Sequence, residues 1–147
     1  MLVGDIFQQD APIIAETSTL VHASETFIKF GTSDLMVVDS LGNFIGVLSE
    51  GDLLRKCMPK YNELIAEGLS LEDIFRLFTE KGRTSATETI MGIVITNPIT
   101  VLRSTHIQKA AAYMFSKNIR RLPVVEEGKL IGSLSRAMVA KAILTGV

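Results

Sequence analysis

Few residues in this chain could carry covalent or metal chemistry, and none stands in a constellation that would let it. His22 and His106 each sit alone near a helix start, with no second His or Cys at metal-ligand spacing. Cys57, the single cysteine, follows Lys56, which would favour its thiolate; no Cys/His arrangement is legible, so an incidental thiol is the simpler reading. Gly128-Lys129 lacks the upstream glycine spacing of a P-loop, no G-x-G-x-x-G occurs, and the acidic residues are scattered. Two groups of polar residues remain. Arg120-Arg121 stands directly ahead of the apolar run Leu122-Pro123-Val124-Val125, and Ser49, Asp52, Ser135 and Arg136 stand at two helix starts. Each has an ordinary role open to it. Ser49 and Ser135 can cap helices, Asp52 can complement a helix dipole, and the arginines can be solvated or paired with Glu126 and Glu127. Met91 is expected in core packing before ligand contact. No catalytic centre is expected.

The elements that must position these residues are written twice. Residues 120–136 read as strand, tight turn, strand and helix start, and residues 35–54 repeat the pattern. Gly42 matches Gly128, Gly46 matches Gly132, Leu48 matches Leu134 and Ser49 matches Ser135, with Leu41 as one extra turn residue. A hairpin plus helix cannot bury its apolar side alone, so two copies imply two half-domains packed together. Ahead of each hairpin lies a helix. Leu20, Ala23, Phe27 and Phe30 share a face, with Thr17-Ser18-Thr19 offering a cap and Gly31 a stop; Ile107, Ala110, Ala111 and Met114 repeat the spacing, with Ser104 as the expected cap. Further upstream, Gly4-Asp5-Ile6-Phe7 is echoed by Glu88-Thr89-Ile90-Met91, and Ala11-Pro12-Ile13-Ile14-Ala15 by Asn97-Pro98-Ile99-Thr100-Val101. Each reads as a brief strand with an irregular lead-in. Pro59 and Gly146 are expected to end the second helix of each copy.

Residues 59–85 have no counterpart in the other copy. A helix is predicted from Ser70, with Leu71, Ile74, Phe75 and Phe78 in one stripe, Gly82 as its stop and 83–87 as loop. The units are then 1–58 as repeat one, 59–85 as a helical linker and 86–147 as repeat two. The linker stripe is read first as packing between repeats and, more sharply, as a partner-facing or dimer-covering surface.

Composition narrows the function classes. With 47% apolar and 21% charged residues over 147 positions, the chain is globular. A net charge of −1 gives no bulk reason to expect nucleic-acid or anionic-membrane binding. No apolar run approaches the roughly 18 residues of a membrane span. The first residues lack a signal-peptide pattern, and one cysteine cannot form an internal disulfide, so a cytoplasmic location is expected.

The order strand, helix, strand, strand, helix, given twice, resembles the cystathionine-β-synthase (CBS) domain pair, or Bateman module. The residues carrying the resemblance are Ile90-Met91, Pro98-Ile99-Thr100-Val101, 119–125 and Gly132-Ser133-Leu134-Ser135, with Asp5-Ile6-Phe7, Val37-Val38-Asp39 and 46–53 in the first copy. It implies an α/β fold of two tandem β-α-β-β-α repeats packed through their sheets with pseudo-two-fold symmetry. It also implies clefts between the repeats that take adenosine-containing ligands (AMP, ADP, ATP or S-adenosylmethionine) and pairing into a homodimer. Family ribose binders sit in Gly-x-x-Ser/Thr-x-x-Asp, which copy one keeps whole with Ser49 and Asp52; a carboxylate can accept from both vicinal hydroxyls. Copy two keeps Ser135 but carries Met138 at the Asp position. The family often places basic residues just before the Leu-Pro-Val-Val strand. Copy two has Arg120 and Arg121 there, whereas copy one has Ser33 and Asp34, and Asp34 would repel a phosphate. The expected site joins the copies. Ser49 and Asp52 hold the ribose, Thr89, Met91 and Ile119 line the base, and Arg120 reaches the phosphate, with Arg121, Arg136 and Ser135 as further candidates. The expected function is a non-enzymatic nucleotide sensor with AMP, ADP or ATP as regulatory ligand, acting on an unknown regulated protein. The alternatives are a ligand-free dimerisation module and an S-adenosylmethionine module.

Overall fold

The computed structural model describes residues 1–60 and 68–146. Each half contributes a hairpin with two helices against one of its faces. In the first half, β1 (Ile13–Ala15), α1 (Leu20–Phe30), β2 (Asp34–Val38), β3 (Phe44–Ser49) and α2 (Glu50–Cys57) follow in order. β1 runs parallel to β2, and β2 antiparallel to β3, in a three-stranded sheet. After α3 (Leu71–Ser85), the second half gives α4 (Ile107–Ser116), β4 (Arg121–Glu126), β5 (Lys129–Ser135) and α5 (Arg136–Thr145). Its two-stranded sheet keeps the third strand only as a parallel bridge of Val101 to Val124. This is the α/β fold expected of the two repeats.

Local chemistry sets most boundaries where the sequence puts them. Thr19 Oγ1 accepts from His22 N at 3.3 Å, and Gly31 closes α1 in the left-handed region at φ 60°. Ser49 and Ser135 cap α2 and α5, accepting from Asp52 N and Met138 N at 3.1 and 3.3 Å. In the second hairpin turn Glu127 and Gly128 both take positive φ, 50° and 78°, as a tight type I′ turn requires.

Three expectations are corrected. Ser104 does not cap α4. The helix starts at Ile107, whose N–H bonds Met1 O, so the chain's first residues occupy that end. Gly82 does not stop α3, and Arg83–Ser85 is helical. The last turn docks on α1, with Val21 N bonded to Ala86 O and Leu20 N to Glu88 O, which outweighs a glycine penalty of about 1 kcal/mol. The upstream echo is also displaced. Short 3₁₀ turns cover Val3–Asp5 and Ile90–Gly92, so Ile90 stands where Val3 does and Ile95 where Gln8 does, three residues from the expected register.

Those upstream segments exchange places. Val3 is buried with Val101, Met114, Leu122 and Leu134 in the second half's core, whereas Ile90 is buried with Ile14, Leu20, Leu35 and Leu48 in the first. Gln8 pairs with Ser133 of β5, and Ile95 with Val47 of β3, each by two backbone hydrogen bonds. Gly46 and Gly132 permit the crossing. A Cβ on Gly46 would lie 2.2 Å from Ile95 O, and one on Gly132 2.3 Å from Gln8 O. At the far end the hairpin tips join, with Phe44 N bonded to Gly128 O at 2.9 Å and Lys129 Nζ to Leu41 O at 2.8 Å.

Candidate functional site

The second crossing segment and the two hairpins enclose a cleft of about 350 Å³ between the halves. One wall is apolar: Val47 from β3, Ile95, Pro98 and Ile99 from the second crossing segment, and Ile119 and Pro123 at the start of β4. The polar rim holds Ser49, Asp34, Lys117, Asn118, Arg120 and Arg121. Antiparallel register sets Asp34 opposite Ser49 on neighbouring strands, so both enter from the first half. The cations enter from the second, Lys117 and Arg120 on the segment joining α4 to β4 and Arg121 at the start of β4. That segment is fixed by Asn118, which takes the left-handed region at φ 53° while its Oδ1 accepts from Arg136 Nη2 at 3.0 Å.

The electrostatics centre on Asp34. The residue is only 8% exposed, and its carboxylate accepts from Ser33 Oγ at 3.0 Å and faces Arg120 Nε at 3.5 Å across the join. Arg121 donates from Nη1 to Ser133 Oγ at 2.8 Å. Burial pushes the Arg121 guanidinium below its ordinary value, and Asp34 pulls it partly back up. Arg120 keeps half its side chain open to the cleft and solvent.

The structure therefore brings Ser49, Ile119, Arg120 and Arg121 together in one lining. Asp52 lies outside it. It lines a neighbouring groove of about 400 Å³ with Arg55, Lys56, Gly92, Ile93 and Val94, and its Oδ1 accepts from Arg55. Thr89 is exposed and bridges Thr19, and Met91 is exposed on its 3₁₀ turn; neither is in the lining. Ser135 caps α5, its N–H meeting Met138 Sδ at 3.4 Å. Arg136 donates to Ile119 O at 2.9 Å and Met114 O at 3.2 Å, bracing the α4–β4 segment from behind. Ile95 escaped the sequence reading because the segment around Ile90 was matched three residues out of place, and Pro98 and Ile99, matched one residue out, were read only as part of a brief strand. Equal spacing was the available signal: Val3 precedes Ile14 by as many residues as Ile90 precedes Val101. Among the described residues no cluster of three or more His, Cys, Asp or Glu could hold a metal ion, and no helix is long and apolar enough to cross a membrane.

Comparison with known proteins follows the same lines. The CBS domain matches twice, over residues 3–59 and 90–145. CBSX2, a chloroplastic CBS domain-containing protein of Arabidopsis thaliana, is 28% identical across 97% of this chain; the chain spans only 63% of CBSX2. An uncharacterised protein of Methanocaldococcus jannaschii is 26% identical, covering 98% of this chain and 92% of its own. The crystal structure of CBSX2 in complex with AMP superposes with a TM-score of 0.74 at 29% identity, covering 97% of this chain and 96% of that one. The CBS domain pair of protein MJ0100, in complex with 5′-methylthioadenosine and S-adenosyl-L-methionine, shares the fold at TM-score 0.70 and 19% identity, over 97% and 99% of the two chains. Two matches in tandem, on two halves that trade their leading segments around one cleft, make this chain a member of the CBS-domain family, built as a CBS pair.

Proposed function

We propose that this CBS pair is a regulatory module, not an enzyme, that binds an adenosine-containing ligand in the cleft between its halves. One observation carries the reading: a nucleoside-sized cleft with an apolar wall on one side and two arginines on the other. The complex of CBSX2 with AMP supports it. In this reading Ile95, Ile99 and Ile119 hold the base, and Ser49 faces the ribose. Asp52 reaches it from the adjoining groove on exchanging its bond to Arg55. Arg120 and Arg121 receive the phosphate. Binding would then bias the angle between halves that the ligand bridges, and so the surface offered to a second copy or a regulated protein.

Thermal-shift and calorimetric measurements with adenosine, AMP, ADP, ATP and S-adenosylmethionine test this. A ligand at a hundredfold excess over Kd adds about 2.7 kcal/mol of stability, a clear rise in melting temperature. Arg120→Ala is expected to weaken AMP more than adenosine, and Asp52→Ala to weaken both. Absence of any shift with all five ligands would overturn the reading and leave dimerisation as the module's role.

A further inference from the structure

We infer that Asp34 is a charge gate that limits how much negative charge the cleft's ligand can carry, so that this CBS pair selects adenosyl ligands with one phosphate or none over triphosphates. The inference rests on the nucleotide reading above and narrows its ligand class. Asp34 and Arg121 hold the same position in the two halves: Asp34 pairs with Ser49 where Arg121 pairs with Ser135. The join between halves thus sets a carboxylate against the cations that would receive a phosphate. Asp34 cannot turn away into water. Its side chain is 12% exposed, Ser33 Oγ holds one carboxylate oxygen, and Thr32 Oγ1 donates to its backbone carbonyl at 3.1 Å. A charge so covered requires a nearby cation, and Arg120 supplies it at 3.5 Å. An incoming phosphate must therefore share Arg120 with Asp34.

Charge counting sets the limit. The lining carries Lys117, Arg120 and Arg121 against Asp34, two positive charges in excess. A monophosphate brings about −1.5 to −2 at neutral pH and is matched. Each further phosphate adds negative charge beside Asp34 with no further cation in the lining to meet it.

The test is affinity for adenosine, AMP and ATP, measured by calorimetry without divalent cations, for the natural chain and Asp34→Asn. The natural chain is expected to bind AMP at least as tightly as ATP. Asp34→Asn should tighten ATP by about tenfold or more, AMP by less, and adenosine by under about twofold. Affinity that climbs from AMP to ATP in the natural chain, or an unchanged ATP-to-AMP ratio in the variant, would overturn the gate while leaving nucleotide binding intact. So would a loss of adenosine affinity, which would assign the carboxylate to the ribose. Should the variant not fold, the natural chain's ligand series decides alone. If the natural chain binds none of the three, the gate falls, and the reading beneath it falls with it once ADP and S-adenosylmethionine also fail to bind.

Discussion

Gly46 and Gly132 do their work by lacking a side chain. Each lets a strand of the opposite half pass where a methyl group would strike a backbone carbonyl. Neither has a positive φ, so the requirement is space rather than backbone freedom. Gly46→Ala is expected to destabilise the fold by about 2 kcal/mol or more, read as a lower urea midpoint, because Ile95 O belongs to a paired backbone and cannot simply swing aside. Asp39 shows a milder constraint. Its Oδ1 accepts from Leu41 N and Asn43 N at 2.9 Å each, and Asn43 Nδ2 donates to Oδ2 at 2.8 Å, which holds its carboxyl below the usual value of 3.8. A carboxyl lowered by folding adds stability above its unfolded value and loses it as pH falls through the lower folded one. Melting temperature should therefore fall on acidification below about pH 4, and Asp39→Asn should flatten that dependence.

Elements were legible where local chemistry agreed with tertiary packing. The first helix, both hairpins and both serine caps followed from periodicity and turn residues alone, because Leu20, Ala23 and Phe27 on the helix and Leu35, Leu48, Leu122 and Leu134 on the hairpins reach the core at the spacing that favours each element; Phe30, expected on the helix's apolar face, is 48% exposed instead. The readings that missed share one cause. Ser104 and the upstream echo lie where the chain meets the opposite half, and the end of the linker helix past Gly82 lies against α1, so their partners are distant in sequence. Of the candidate site, Ser49, Ile119, Arg120 and Arg121 were visible as types at strand and helix ends, whereas Ile95 and Ile99 reach the cleft only through the exchange of segments. The linker helix leaves part of its apolar stripe open: Leu71 and Phe75 are 85% and 71% exposed, and Ile74, Leu77 and Phe78 are half-buried. Its start depends on a capping box, with Ser70 Oγ accepting from Asp73 N at 3.2 Å and Asp73 Oδ2 accepting from Ser70 N at 3.3 Å. Ser70→Ala should lower stability by about 1 kcal/mol, with helix content by circular dichroism falling before global unfolding.

At the scale of the molecule, the two cores are not independent. Val3 completes one and Ile90 the other, and both are fully buried. Denaturation is expected to follow a single transition by fluorescence and by circular dichroism alike. A fragment of residues 86–147 should not fold by itself, since it lacks Val3 and the strand partner at Gln8; a cooperative melt from that fragment would refute the dependence. Mixed with residues 1–85, it should regain structure.

The traded lead-ins also offer the chain a second way to close. A segment that reaches across to its own other half can equally reach the matching place on a neighbour, satisfying the same two backbone bonds to Ser133 and the same pocket for Val3. At high concentration, or after partial unfolding, two molecules could become interlocked through their first dozen residues, and such a pair would come apart only by unfolding.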